Sequence, residues 1–276
     1  MVEFAGNRAL ADLRIVLVEP AGALNIGSTA RVMKNMGLSR LVLVNPQCDP
    51  LGEEARQMAV HAADLLETAT IVRTIPQALQ GCQRAIATTA RSRALGNPLE
   101  HPRQAFPWLL NYPAALIFGP EDRGLSNQEL NYAQRFVQIP SSPIYPTLNL
   151  AQAIAVSCYE LYQLAHPIPI ESIESDLPQP SQNPTDAVFP EEIPVTLDHL
   201  EEYYQQLESV LLRIGYLHPH TAKSRMEKFR RLFNRANLST SELAMLRGIL
   251  SQVKWAVDQP SSPNSVYDTL KPSSSF

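Results

Sequence analysis

Cysteine is scarce in this chain of 276 residues: Cys48, Cys82 and Cys158 form an odd set without a C-x-x-C spacing. That excludes a disulfide-stapled scaffold and a thiolate metal finger, and leaves buried thiols of a reducing compartment as the expectation. The six histidines are scattered, with only the pair His218-x-His220 close in sequence, so no metal is expected. Glycine numbers 11, and none of it is arranged as G-x-G-x-x-G or G-x-x-x-x-G-K-[ST]. The dinucleotide fingerprint and the P-loop are therefore absent, which disfavours a nucleotide-dependent dehydrogenase. No apolar run approaches the roughly 18 residues of a membrane span. The opening MVEFAGNRALADLR has no basic stretch leading into an apolar one, so a soluble, cytoplasmic protein is expected.

What is present is a core and an uneven distribution of charge. Hydrophobic residues make up 45% of the chain, enough for a sizeable interior. The net charge of −4 is misleading as a whole: residues 1–165 carry 13 bases and 13 acids, 166–196 six acids and no base, and 197–257 nine bases against six acids. Acidity is concentrated in a middle segment, while the C-terminal part is basic. From Arg14 onward, short continuous apolar runs (RIVLVEP, LVLVNP, AIATTA, ALIFG) alternate with helical patterns. That is the signature of an α/β fold with a mostly parallel sheet covered on both faces. Ser126 with Glu129 predicts a capping box, and Asn149 caps a helix from Leu150 to Leu164 that is apolar all round and so expected to be buried.

Residues 166–196 hold seven prolines and few large apolar residues, and read as an extended linker. Beyond it three helices are expected in a small bundle: one with Leu200, Tyr203, Leu207 and Val210 on a face, one from about Ala222 to Arg235, and one capped by Ser239 and Glu242. The core face of the third is Leu243, Leu246, Ile249, Leu250 and Val253. The domains predicted are thus 1–165, a linker 166–196, a helical extension 197–257 and a disordered tail 258–276.

Three loops follow strands and are candidates for chemistry. Asn25 to Arg31 opens a helix, so its N–H groups and dipole could receive a phosphate, although Arg31 also reads as a solvated arginine. Thr88-Thr89-Ala90-Arg91 ends a strand with small side chains, leaving room for a flat ring. Gly119 to Leu125 combines a Gly-Pro turn with two acids and an arginine, or is a simple turn whose acids favour the next helix N-terminus. In the extension, Lys223, Arg225, Lys228, Arg230, Arg231 and Arg235 crowd one helix near Tyr203, Tyr204, Tyr216 and Phe229. This suits an RNA backbone, and equally a solvated face.

The order of N-x-G-x-x-A-R at Asn25 to Arg31, I-F-G-P-E-x-x-G-L at Ile117 to Leu125 and I-P…L-N-L-A-Q-A at Ile139 to Ala153 resembles the SPOUT (trefoil-knot) RNA methyltransferases over residues 14–165. Residues 197–252 are similar to the extension of those bacterial SPOUT enzymes that methylate the 2′-oxygen of cytidine or uridine at the first nucleotide of the tRNA anticodon loop. The resemblance implies an α/β-knot, with a C-terminal trefoil knot, followed by a small helical bundle. It implies S-adenosylmethionine as methyl donor without a metal, tRNA as substrate, and a homodimer with the active site at the subunit interface. Carried over by position, Thr88, Thr89, Ala90, Gly119, Ile139, Thr147, Leu148 and Asn149 line the cofactor site, and Asn25, Arg31 and Glu121 serve the reaction. Pro146-Thr147 stands where relatives often have two serines, so only Thr147 can supply a hydroxyl there. Alternatives are a SPOUT enzyme acting on ribosomal RNA and a non-catalytic RNA-binding module. Because a linker separates the basic helix from the knot, removing residues 197–276 is expected to weaken tRNA binding and spare cofactor binding.

Overall fold

Aliphatic side chains at consecutive positions suit strands buried on both faces, and the sheet is built from such runs. The computed structural model describes residues 10–90, 98–166 and 193–258. Its strands are β1 (Leu13–Val18), β2 (Arg40–Val44), β3 (Thr70–Val72), β4 (Arg84–Thr88), β5 (Ala114–Phe118) and β6 (Arg135–Val137). They form one sheet in the order β3-β2-β1-β5-β4-β6, and every pair is parallel. The helices are α1 (Ala23–Asn35), α2 (Glu53–Ala59), α3 (Ala63–Glu67), α4 (Ile75–Ala78), α5 (Pro102–Ala105), α6 (Asn127–Leu130), α7 (Leu150–Ala165), α8 (Leu197–Arg213), α9 (Pro219–Ala236) and α10 (Thr240–Asp258).

Alternation along β1 divides the core. Ile15 and Leu17 face a layer containing Ile26, Ala30 and Met33 of α1 with Ile154, Cys158 and Leu161 of α7. Val16 and Val18 belong to the opposite layer, with Ile75, Leu130 and residues of α8. Gly27 sits where α1 meets α2: a Cβ there would fall 2.8 Å from that of Met58 and against the Ala55 carbonyl, so only glycine allows this close packing. The caps expected at Ser126 with Glu129, at Asn149 and at Ser239 with Glu242 all form, Asn149 with Gln152 as a full capping box, and Thr74 with Gln77 makes another.

Four expectations need correction. α7 is not buried all round: Leu150, Ile154, Ser157, Cys158 and Leu161 are covered, but Val156 and Tyr159 are exposed, because the chain supplies partners for only one face. Ile249 is 54% exposed, since α10 meets the rest of the bundle through Leu243, Leu246 and Leu250, a face that leaves Ile249 outside. α9 begins at Pro219 rather than near Ala222, proline being tolerated in a first turn. Finally, the segment 166–196 is not a tether throughout. Residues 167–192 and the tail 259–276 lie outside the described residues, but 193–196 are docked. Val195 N–H donates to the Leu238 carbonyl (2.9 Å) and Leu197 N–H to that of Cys82 (2.8 Å).

The extension is consequently packed on the sheet domain. Leu200, Tyr203, Tyr204 and Leu207 share a core with Leu79, Cys82 and Ala133. Buried Asn234 ties the two parts together, donating to the carbonyls of Asn131 (3.2 Å) and Ala133 (3.4 Å) while accepting from the Tyr204 hydroxyl (2.8 Å). A chain ending at residue 196 therefore loses more than a basic surface. Calorimetry is expected to show its Tm lowered by about 2–8 °C, as loss of roughly 1–2 kcal/mol does in a domain of this size; an unchanged Tm would contradict the docking.

Candidate active site

The loops after β4, β5 and β6 converge, as C-terminal strand ends of open α/β sheets do around ligands. Thr88, Thr89, Ala90, Gly119, Ile139, Thr147 and Leu148 line a single cavity of about 360 Å³, together with Glu121, Asp122, Arg123, Leu125, Gln138 and Pro146. Of the residues expected there, Asn149 is the exception and does not contribute to the wall. Its Oδ1 caps α7 through the Ala151 N–H (2.9 Å), and its Nδ2 donates to Asn25 Oδ1 (3.2 Å). Arg91 lies outside the described residues.

Asn25 passes that contact on. Its Nδ2 donates to Glu121 Oε1 (2.8 Å), and Glu121 also accepts from the backbone N–H groups of Ala21 and Gly22, each at 3.1 Å. Because a carboxylate can only accept, and Asn149 presents a donor to the other end, the Asn25 amide has one orientation consistent with both neighbours. The start of α1 has no side-chain cap of its own, and Glu121 supplies the negative charge from across the fold. The expectation that the loop from Asn25 receives a phosphate is not met: Asn25 and Ile26 donate their N–H groups to the Gly22 carbonyl, Glu121 takes those of Ala21 and Gly22, and Gly27 serves helix packing.

Burial raises the pKa of Glu121, but the hydrogen bonds from Asn25, Ala21 and Gly22 outweigh it and hold the carboxyl below its ordinary value. The sign follows directly. A depressed folded-state pKa contributes stability above the ordinary carboxylate range, and that contribution is lost as pH falls through the lowered value. Glu121→Gln is thus expected to lower Tm at pH 7 and to converge with the parent in acid; melts at pH 7 and pH 3 differing by the same amount would refute this.

Arg123 was expected beside the two acids of its own loop. It pairs instead with Glu19 (2.7 Å) and with both oxygens of Glu129 (2.8 and 3.0 Å), which raises its pKa further. It thereby braces the loop after β5 against the loop after β1. Nothing in the spacing signalled Glu19, which the fold holds in a left-handed conformation at φ 48°.

Arg31 lies on α1 six residues beyond Asn25, about 9 Å along the helix at 1.5 Å per residue. It is exposed and makes no hydrogen bond or ion pair among the described residues. The basic helix divides in two. Arg230 is engaged bidentately by Glu201 and stacks over Tyr204 (4.5 Å) and Tyr132 (5.6 Å), so it belongs to the docking interface and is withdrawn as an RNA contact. Lys228, Arg231 and Arg235 recur at i, i+3 and i+7 and share one face of α9, away from Met226 and Phe233. Lys223 is exposed, and Arg225 leans on Tyr216. No group of three His, Cys, Asp or Glu suited to a metal occurs among the described residues.

Comparison with known proteins places this geometry. The SpoU rRNA methylase family profile matches residues 12–159, and that of the tRNA methyltransferase TrmJ C-terminal domain matches 198–262. The tRNA (cytidine/uridine-2′-O-)-methyltransferase TrmJ of Pectobacterium atrosepticum is 40% identical over 254 residues, 91% of this chain and 100% of its own length. The tRNA (cytidine/uridine/adenosine-2′-O-)-methyltransferase TrmJ of Pseudomonas aeruginosa is also 40% identical, over 88% of this chain and 93% of its own. Among solved structures, TrmJ from Z. mobilis superposes with a TM-score of 0.74 at 29% identity, covering 87% of this chain and 98% of that one. The chain belongs to the SpoU methylase family, in its TrmJ branch.

Proposed function

We propose that this protein transfers a methyl group from S-adenosylmethionine to the ribose 2′-hydroxyl of a cytidine or uridine in tRNA, acting as a homodimer on the first nucleotide of the anticodon loop. The observation that carries this reading is the junction of the strand-end cavity with the Asn149–Asn25–Glu121 hydrogen-bond chain, on a helix that also presents an exposed arginine, Arg31. The wall fits the donor: its volume is within the range of small-molecule sites, and Ile139 and Leu148 offer apolar surface to a flat ring. When bound there, the donor supplies a methyl group already activated by its positive sulfur.

The chain's own part is then placement and management of one proton. Arg31 stays protonated at any working pH and cannot be a base. In this reading it holds the phosphate beside the target and stabilises charge developing on the 2′-oxygen. Glu121 has both oxygens engaged and remains a carboxylate, so its role is to fix Asn25 rather than to accept the proton, which leaves to water. Thr147, Leu148 and Asn149 fix the entry to α7, and most of the acceleration comes from orientation.

Lys228, Arg231 and Arg235, with Lys223 and Arg225, meet phosphates of the tRNA body, a contact without sequence information. The trefoil knot is part of the same reading, formed where 138–149 leads into α7. A second subunit covers the apolar surface left at Leu24, Val156 and Tyr159 and completes the site. Incubation with labelled S-adenosylmethionine and unmodified tRNA transcripts, followed by mapping of 2′-O-methyl groups, tests the assignment. Label in ribosomal RNA and none in tRNA would overturn it. Light scattering should give about twice the chain mass of 30.6 kDa.

A further inference from the structure

The loop between β6 and α7 does two things at once. Its later residues, Pro146, Thr147 and Leu148, form cavity wall, while its tip is turned outward: Ile144 is 93% and Tyr145 80% exposed. Two large side chains adjacent at such exposure present a small apolar surface to whatever approaches the cavity mouth. The tip is also well braced. Ser141 Oγ donates to the Pro146 carbonyl (2.6 Å), Ile144 N–H to Ser142 Oγ (3.3 Å) and Tyr145 N–H to the Ser142 carbonyl (3.1 Å). Pro143 and Pro146 flank the pair and restrict it further. Little entropy remains to be lost when the tip meets a ligand.

The chemistry of the loop selects what that ligand is. From Phe136 to Tyr159 the sequence carries no Asp, Glu, Lys or Arg, so the tip offers a phosphate no opposite charge. A planar ring beside an aliphatic side chain suits the face of an unpaired base, the way proteins commonly hold single-stranded nucleotides. Asn149, four residues on, contacts Asn25, so the tip belongs to the same assembly as the reaction residues.

We infer that Tyr145, flanked by Ile144, is a stacking platform for an unpaired nucleobase of the RNA loop, at or next to the nucleotide methylated. It acts as a binding and positioning residue and takes no part in proton transfer. The inference rests on the proposed tRNA methylation, and it accounts for selection of a loop nucleotide over a paired one, because only an unstacked base can lie on the ring.

The test compares Tyr145→Ala, Tyr145→Phe and Tyr145→Trp with the parent. Single-turnover methylation of a tRNA transcript, calorimetric S-adenosylmethionine affinity and light-scattering mass are measured for each. The alanine variant is expected to lose about 5- to 150-fold in kcat/KM for tRNA, the range set by one lost base stack. Its cofactor affinity and mass should match the parent's, and phenylalanine and tryptophan should restore the rate to within about threefold. Equal rates for parent and alanine variant would overturn the inference while leaving tRNA methylation standing. Failure of phenylalanine to rescue would show that the hydroxyl, not the ring, matters, and halving of the mass on alanine substitution would make a second subunit the occupant. A parent inactive on tRNA would instead overturn the underlying assignment.

Discussion

Arg31→Ala is expected to cut the single-turnover rate of 2′-O-methylation by about 10²- to 10³-fold, the cost of removing one preorganised donor to a developing oxyanion. Cofactor affinity should stay within about twofold, because Arg31 is absent from the cavity wall. Thermal stability should be unchanged as well, since the side chain is exposed and unpaired among the described residues. Arg31→Lys separates two forms of the idea. It keeps the charge and loses the planar fork, so a rate between those of the alanine variant and the parent supports bidentate contact with a phosphate. A near-parental lysine variant would remove the bidentate role, and a near-parental alanine variant would remove Arg31 from the reaction.

Gly119→Val is expected to raise the Kd for S-adenosylmethionine by about 10²-fold. A Cβ at this position would press on Leu125 N and the Gly124 carbonyl carbon and lie 2.9 Å from Gly124 Cα, all of them backbone atoms. Backbone cannot swing aside as a side-chain tip can, so the loop from Gly119 to Leu125 must move and carry cavity wall with it. Overpacking of this sort costs up to about 3 kcal/mol, equivalent to the loss in affinity stated. Calorimetric titration checks the value, with far-UV circular dichroism confirming that the variant is folded. Binding at parental strength would show that the loop tolerates displacement.

The parallel sheet and the strand-end loops were legible because both rest on local signals: continuous apolar runs, proline and glycine at strand ends, and capping pairs such as Ser126 with Glu129. Seven of the eight expected wall residues meet at one cavity for the same reason. What escaped was pairing across the fold. Glu121 is 96 residues from Asn25 and Arg123 is 104 from Glu19, and no spacing rule reaches that far. Arg230 was misread because a basic helix looks alike whether its arginines face solvent or a carboxylate under two tyrosine rings. Proline-rich composition likewise suggested a tether up to 196, yet Pro194 and Val195 find backbone partners at Ser239 and Leu238, between α9 and α10.

α7 has a consequence that belongs to mass action. Its first turn, through Leu150 and Ala153, is part of the cavity wall, while Val156 and Tyr159 on the same helix are exposed, on the surface where the proposed homodimer would place its second subunit. If the proposed dimer forms on that face, a shift of the helix would be felt at both ends, and occupancy of the cavity and association of subunits would draw on one shared free energy. Reciprocity then requires that whatever cofactor does to dimer affinity, dimerisation does to cofactor affinity by the same factor. The apparent affinity for the methyl donor becomes a function of how much of the protein is present, steepest near the concentration at which the subunits part.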